Sequence, residues 1–422
     1  MRHGDHRGPP DQIGLGTVRR MIARYRFVLT NRPYLFLLSS SVISEAGDWA
    51  ARLALTWLMY TLTGSVLASA AVLVVSVVPA ALLGPWLAAG TASWSHRRAT
   101  ILCDVARAGL FAAVAIRPSP MLALGVAGVA GVVSVVFESH RSAWLPHVTG
   151  TDALGTAVSL AHALSDATVI IGYAAGGILL GVLGVSGALW VNAATFLASG
   201  LLLTGVGHAR SVDEGDERPV GLLAAWTALS ADRWLLGIVA LATVSVAAAT
   251  SIEAVALPVL TSAGIPVGAT GVVLALGAGV SLAITLILPG HWTHHRASRW
   301  IGALTMVAFA GAVVGLAAGH PLAAASAVVI TGLAYVALVP ANVLVTTSLP
   351  AHLRTSAFSL LTAALATLQA LMVALAGAAV DRAGIPGLVW FCVAIAVLAV
   401  LLATLNLRLA LERKPTPLPD AP

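Results

Sequence analysis

Residues 66–91 read VLASAAVLVVSVVPAALLGPWLAAGT, twenty-six positions without a charged side chain. A hydrocarbon core of ~30 Å needs about 20 apolar residues in one helical pass, so this run is long enough to cross. A spanning strand would alternate apolar and polar residues, and this run does not. Inside lipid every backbone polar group must find its partner within the segment, which leaves the helix. Runs of the same kind recur along the chain. Of its 422 residues 59% are hydrophobic and 9% charged, with a mean hydropathy of +0.94. Soluble domains carry about 25% charged residues. The composition therefore specifies an all-α membrane protein, with the lipid bilayer as its solvent.

Twelve helices are expected, over 34–60, 66–91, 99–117, 120–139, 154–183, 187–207, 234–262, 267–290, 299–318, 321–348, 355–380 and 386–411. The longest polar stretch between them holds Asp213, Glu214, Asp216 and Glu217. The expected organisation is a basic tail (1–33), an N-terminal six-helix bundle (34–207), a linker (208–233), a C-terminal six-helix bundle (234–411) and a second tail (412–422). The first tail is too polar and Arg-rich for a signal peptide. Of 23 basic residues, 19 fall on the side of the termini, Arg117 and Arg382 on the other, and Arg52 and Arg107 within spans. By the positive-inside rule both termini are expected to be cytoplasmic, in a multi-pass plasma-membrane protein. This arrangement accounts for the net charge of +6 without nucleic acid. Cys103 and Cys392 lie in apolar runs, so no disulfide framework is indicated.

The halves echo one another. Leu145-Pro146-His147 follows the fourth span and Leu349-Pro350-Ala351-His352 the tenth. His96-Arg97-Arg98 follows the second span and His294-His295-Arg296 the eighth. Two repeats related by an axis along the membrane normal place a substrate site between them, near the midplane.

Four stretches then resemble the drug- and siderophore-exporting branch of the major facilitator superfamily, which includes enterobactin exporters and macrolide efflux proteins. They are Gly47-Asp48-Trp49-Ala50-Ala51-Arg52 with Leu62-Thr63-Gly64-Ser65, and Phe137-Glu138-Ser139-His140-Arg141-Ser142-Ala143-Trp144-Leu145-Pro146, matching a loop after the fourth helix. Gly187-Ala188-Leu189-Trp190-Val191-Asn192 and Pro350-Ala351-His352-Leu353-Arg354 complete the set. The resemblance spans nearly all of residues 31–407. It implies a secondary transporter in two pseudo-symmetric six-helix bundles. Such a protein exports a hydrophobic or amphipathic small molecule of the drug, macrolide or siderophore class, driven by protons.

The chain departs from the branch at two motifs. After Gly90 the inner-gate motif keeps Arg97 and Arg98 but has Ser93-Trp94 where an Asp-Arg pair is usual. The antiporter motif keeps Gly172, Gly176 and Gly177 but has Tyr173 where proline is usual, so the kink that proline would impose is weakened. These residues, with Arg354, are candidates for gating.

A charge within a span costs ~2.5–3.5 kcal/mol on insertion scales and so tends to be functional. Glu45, Asp48 and Arg52 share one helix face. Asp48 and Arg52 are expected to pair, either as a coupling site or as a structural lock, with Glu45 the freer carboxylate. His162 and Asp166, four residues apart, form a proton or substrate site, or a structural hydrogen bond; two ligands are too few for a metal site. Glu253 in the seventh span is a candidate for coupling or cation binding. Asp104 and Arg107 are a structural or gate-lining pair. Glycines four apart, Gly172 with Gly176 and Gly177 with Gly181, suit close helix packing, and in a rocking protein a sliding face. His291, His294 and His295 are read as a solvated turn and the scattered tryptophans as interface anchors, with Trp57 a possible cavity wall.

The expected function is proton-coupled secondary transport by a monomer that needs no cofactor and no metal. One charge crossing 100 mV releases ~2.3 kcal/mol, which at ~1.4 kcal/mol per decade sustains roughly a fifty-fold gradient. No Gly-rich phosphate loop is present for an ATP motor, and no nucleophile–base–acid set converges for an enzyme. The alternative is a non-transporting receptor or assembly factor on the same scaffold.

Overall fold

The computed structural model describes residues 26, 28–91, 93–207, 222–287 and 294–412. Much of the expected tails and linker, and His291, lie outside them, as do the side chains of His294 and His295. Helix α1 (Arg32–Thr63) starts at Asn31, whose side chain accepts from the Tyr34 N–H, and stops at Gly64 in the left-handed region. It is followed by α2 (Val66–Gly90), α3 (His96–Ile116), α4 (Pro120–Thr149) and α5 (Thr151–Thr204). Beyond 208–221 come α6 (Leu222–Ala231), α7 (Arg233–Ser262), α8 (Val267–Ile287) and α9 (His294–Ala317). The chain ends with α10 (Pro321–Thr331), a 3-10 turn (Gly332–Ala337), α11 (Leu338–Ser348) and α12 (Ala351–Glu412).

Nine helices among the described residues are long and apolar enough to cross a membrane, counting α10 to α11 as one. Two of them, α5 and α12, double back at Gly184 (φ 68°, ψ −175°) and Gly384 (φ 63°, ψ −149°), so each crosses twice. Helix α1 is not among the nine, and its 32 residues hold Glu45, Asp48 and Arg52 near the middle. With it the described residues make twelve crossings, six in each half. The side carrying Arg32, Thr204, Leu222 and Glu412 is termed proximal here, and the opposite side distal.

The internal repeat is visible in the backbone. Gly64 and Gly264 take positive φ at the same place in each half, 200 positions apart, and so do Gly184 and Gly384. A left-handed residue costs glycine nothing, so each half turns at the same two points.

Two segments depart from the sequence reading. Helix α4 runs through Pro146 to Thr149, so the stretch 137–146 is helix and not loop. Its charged side chains are thereby carried along the bundle wall. Within 208–233, residues 222–231 form helix α6, which buries Ala225 and Leu229. Helix α7 is the most enclosed crossing, with 72% of its apolar window buried against 28% for α2 and α8. It therefore holds Glu253 at the centre of the molecule.

Candidate functional site

The halves touch along two seams on the distal side. A Cβ on Gly271 of α8 would lie 2.3 Å from the Tyr173 carbonyl and 2.6 Å from Gly177 Cα, so α5 and α8 meet backbone to backbone. Across the other seam, a Cβ on Gly377 of α12 would lie 2.8 Å from Leu67 Cα of α2. Of the glycines expected to gate, Gly177 belongs to this contact between halves. Gly172 and Gly176 instead pack α5 onto Trp49, Ala46 and Ala50 of α1, inside one half.

At the midplane the Glu253 carboxylate joins both halves. Tyr173 of α5 donates to one oxygen, and Tyr335 of the 3-10 turn donates to the other at 2.6 Å. Tyr335 also shares a 3.0 Å bond with Thr250, to which Gln369 of α12 donates at 3.0 Å. Tyr173 stands at the position read as a lost proline; its ring packs edge-on against Trp49, 5.0 Å between centroids. Arg52 lies 4.2 Å over the Trp49 ring and lines a 30 Å³ cavity together with Tyr173 and Glu253.

The expected Asp48–Arg52 pair is therefore corrected. Asp48 accepts from Arg107 of α3 at 3.4 Å. Helical spacing brought Asp48 and Arg52 to one face, but α3 presents its guanidinium closer to the carboxylate, and the aromatic face of Trp49 takes Arg52. Arg107 also bonds Asp104 at 2.5 Å and Ser134 at 3.3 Å, and sits between the Phe137 and Phe196 rings. Asp104 accepts a further 2.7 Å bond from Ser199 on the second arm of α5. These residues tie α1, α3, α4 and α5 into one buried knot.

A cavity of about 590 Å³ opens on the proximal side, between α1, α3, α4 and the first arm of α5. Glu45, Asp48, Glu138, Arg107, Arg141 and His162 line it, with the apolar side chains of Leu38, Val42, Leu154 and Val158 between them. Glu45 accepts from Ser165 at 2.5 Å. Arg141 donates twice to Glu138, at 2.6 and 2.8 Å. Asp166 is exposed and is not among the lining residues, although it shares the α5 face of His162 and Tyr173. Trp57 lines neither cavity and packs against Tyr60 at 5.8 Å.

The remaining gating candidates stay within their own halves. Arg97 donates to the Thr204 carbonyl at 2.6 Å, and Arg354 to the Leu349 carbonyl at 3.1 Å. Arg98 and Gly90 are exposed, with open space around Gly90. Beside that turn His96 and His140 share a 3.1 Å nitrogen–nitrogen bond, and His147 stacks on His96. Among the described residues no group of three or more His, Cys, Asp or Glu is placed to hold a metal ion.

Sequence reading missed Glu138 and Arg141 as cavity residues, because a loop was expected there. It missed Tyr335, Thr250 and Gln369 because hydroxyl and amide groups in an apolar helix carry no charge signal. Tyr173, noted only as a departure from a motif, was the one visible hint.

Two six-crossing halves, related by the repeat and joined at distal seams, define the major facilitator fold. Solved structures of that fold are similar along nearly their whole length. The nucleoside transporter NupG matches with a TM-score of 0.70 at 15% identity, over 90% of this chain and 100% of that one. A bacterial homologue of the human lysosomal transporter Spinster, inward-facing and occupied, gives 0.71 at 12%, over 92% and 99%. The POT-family transporter PepTSo gives 0.67 at 13%, over 91% and 99%. At these identities the likeness is one of fold. No protein-family model and no curated protein sequence matches the chain.

Proposed function

We propose that the protein is a secondary active transporter that exports an amphipathic small molecule, of the drug, macrolide or siderophore class, in exchange for protons. It works as a monomer in the plasma membrane with both termini cytoplasmic. The observation that carries this reading is the Glu253 carboxylate, held by a tyrosine of each half. A carboxylate only accepts, so it satisfies both hydroxyls at once; a carboxylic acid gives up one acceptor site and gains a donor. Charge-assisted bonds are about twice as strong as neutral ones. Protonating Glu253 therefore loosens the clamp between the halves, which links a proton to their separation.

The proximal cavity has the size of a drug-sized site, roughly 300–1,000 Å³, and its charges favour a cationic group. Arg107 is shared by two carboxylates and Arg141 is paired with Glu138, while Glu45 is bonded by a serine, so carboxylates outnumber guanidiniums and the excess charge is negative. Apolar Leu38, Val42, Leu154 and Val158 suit the body of such a molecule. Export as the direction rests on the resemblance and on this cavity facing the arginine-rich side.

The test is flux in proteoliposomes under an imposed pH gradient, with a fluorescent cationic amphiphile as cargo. The wild type should show gradient-dependent flux abolished by an uncoupler, and Glu253→Gln should lose at least about tenfold of it. Wild-type protein that moves a panel of cationic, neutral and anionic amphiphiles no faster than empty liposomes would favour the receptor or assembly-factor alternative.

A further inference from the structure

The two distal seams are pseudo-symmetric, and one of them carries a polar contact that the other lacks. Gly181 of α5 faces Gly268 of α8, with 3.4 Å left for a Cβ. Two hundred positions on, in α12, the corresponding residue is Asp381, and its carboxylate reaches the first turn of α2 in the opposite half. It accepts from the Val66 N–H at 2.7 Å, the Leu67 N–H at 3.1 Å and the Ser65 hydroxyl at 2.6 Å. The first N–H groups of a helix have no partner within it, and the helix N-terminus attracts negative charge. Ser65 in turn accepts from the Ala68 N–H at 3.0 Å. One carboxylate of the C-terminal half thus completes the N-terminal cap of a helix in the N-terminal half.

We propose that Asp381 is the lock of the distal gate, and that breaking its cap on α2 is a required step of distal opening. The proposal rests on the rocking-transport reading above. Separation of the halves strips two backbone N–H groups and one hydroxyl of their partner. Asp381 is exposed, so water can take its place. A lock at the wet rim, one turn from the Gly377 contact, holds the seam shut while remaining breakable. The α5–α8 seam is held by glycine packing and acts as the sliding face.

The experiment is thiol labelling. Ser69 is fully buried and lines the 30 Å³ cavity beneath the seal. Ser69→Cys, in a background with Cys103→Ala and Cys392→Ala, is exposed to a membrane-impermeant maleimide from the distal side of oriented vesicles. Adding Asp381→Ala should raise the labelling rate about tenfold. Ser65→Ala, which removes one of the three bonds to Asp381 together with the Ser65 cap on the Ala68 N–H, and leaves the two backbone bonds to Asp381, should raise it two- to threefold. Equal rates in all three proteins overturn the lock. Flux measured on the same vesicles separates the two ideas. Faster labelling without flux in any protein keeps the lock and removes the transporter; proton-driven flux with unchanged labelling does the reverse.

Discussion

The N-terminal half packs its charges into a knot and a cavity, whereas the C-terminal half is cross-linked by hydroxyls. Within the spans of the first half stand Glu45, Asp48, Asp104 and Arg107, with Glu138 and Arg141 on the cavity wall. Within the second half Ser245 pairs with Thr305 at 2.8 Å, Thr250 with Tyr335, and Trp234 donates to Ser298 at 3.1 Å. Glu253 is the acidic side chain of its midplane among the described residues, and it reaches across to Tyr173. The contrast points to a division of labour. Under the proposed function the charged half is the one to recognise the cargo, and the hydroxyl-bonded half is a frame with one hook into its partner.

Removing the centre of the charged knot is the severest way to break this contrast. Arg107→Ala leaves Asp104, fully buried, without its guanidinium. Stripping one partner from a buried ion pair costs about 3–5 kcal/mol, so the melting temperature in detergent should drop sharply and Asp104→Asn in the same chain should recover much of it. A melting temperature unchanged by Arg107→Ala would show that the knot does not hold the half together.

The hook gives a finer separation. Tyr173→Phe removes the hydroxyl that crosses between halves, and Tyr335→Phe one that stays within the frame. Each deletes a bond to a charged acceptor, worth about 1.5–3 kcal/mol. Both should lower the melting temperature, and Tyr173→Phe should in addition uncouple flux from the pH gradient, which Tyr335→Phe should leave coupled. Identical effects of the two on both measurements would erase the distinction between hook and frame.

The smallest effect belongs to Arg141→Ala. Its pair with Glu138 is part-exposed, and such pairs contribute about 0–1 kcal/mol. Stability should hold, while Glu138 gains a net charge in the cavity and the apparent affinity for a cationic cargo rises severalfold. A fall in cation affinity, measured by equilibrium binding to the purified variant, would count against the charge-based account of recognition.

The crossings were legible because lipid sets their length and leaves no choice of backbone. Candidate charges were legible for a related reason: a carboxylate amid 20 apolar residues stands out, as Glu45, Asp48, Asp104 and Glu253 do. Their partners were not. Asp48 lies four residues from Arg52 but bonds Arg107, 59 residues away. The Glu138–Arg141 stretch resembled a loop and proved to be the proximal end of α4. Asp381 looked like an ordinary helix end, because nothing local marks a cap donated to a helix more than 300 residues earlier in the chain.

By itself the sequence determined the solvent, the number of crossings, the two-fold repeat and the list of charges that lipid would not tolerate idle. Hydropathy and composition act residue by residue, so a linear reading reaches them. Tertiary structure alone decided which charges meet, which glycines face the opposite half and which side of the bundle holds a cavity. Those depend on how helices far apart in the chain are rotated and pressed together, and helical periodicity fixes a residue's face without fixing its neighbour.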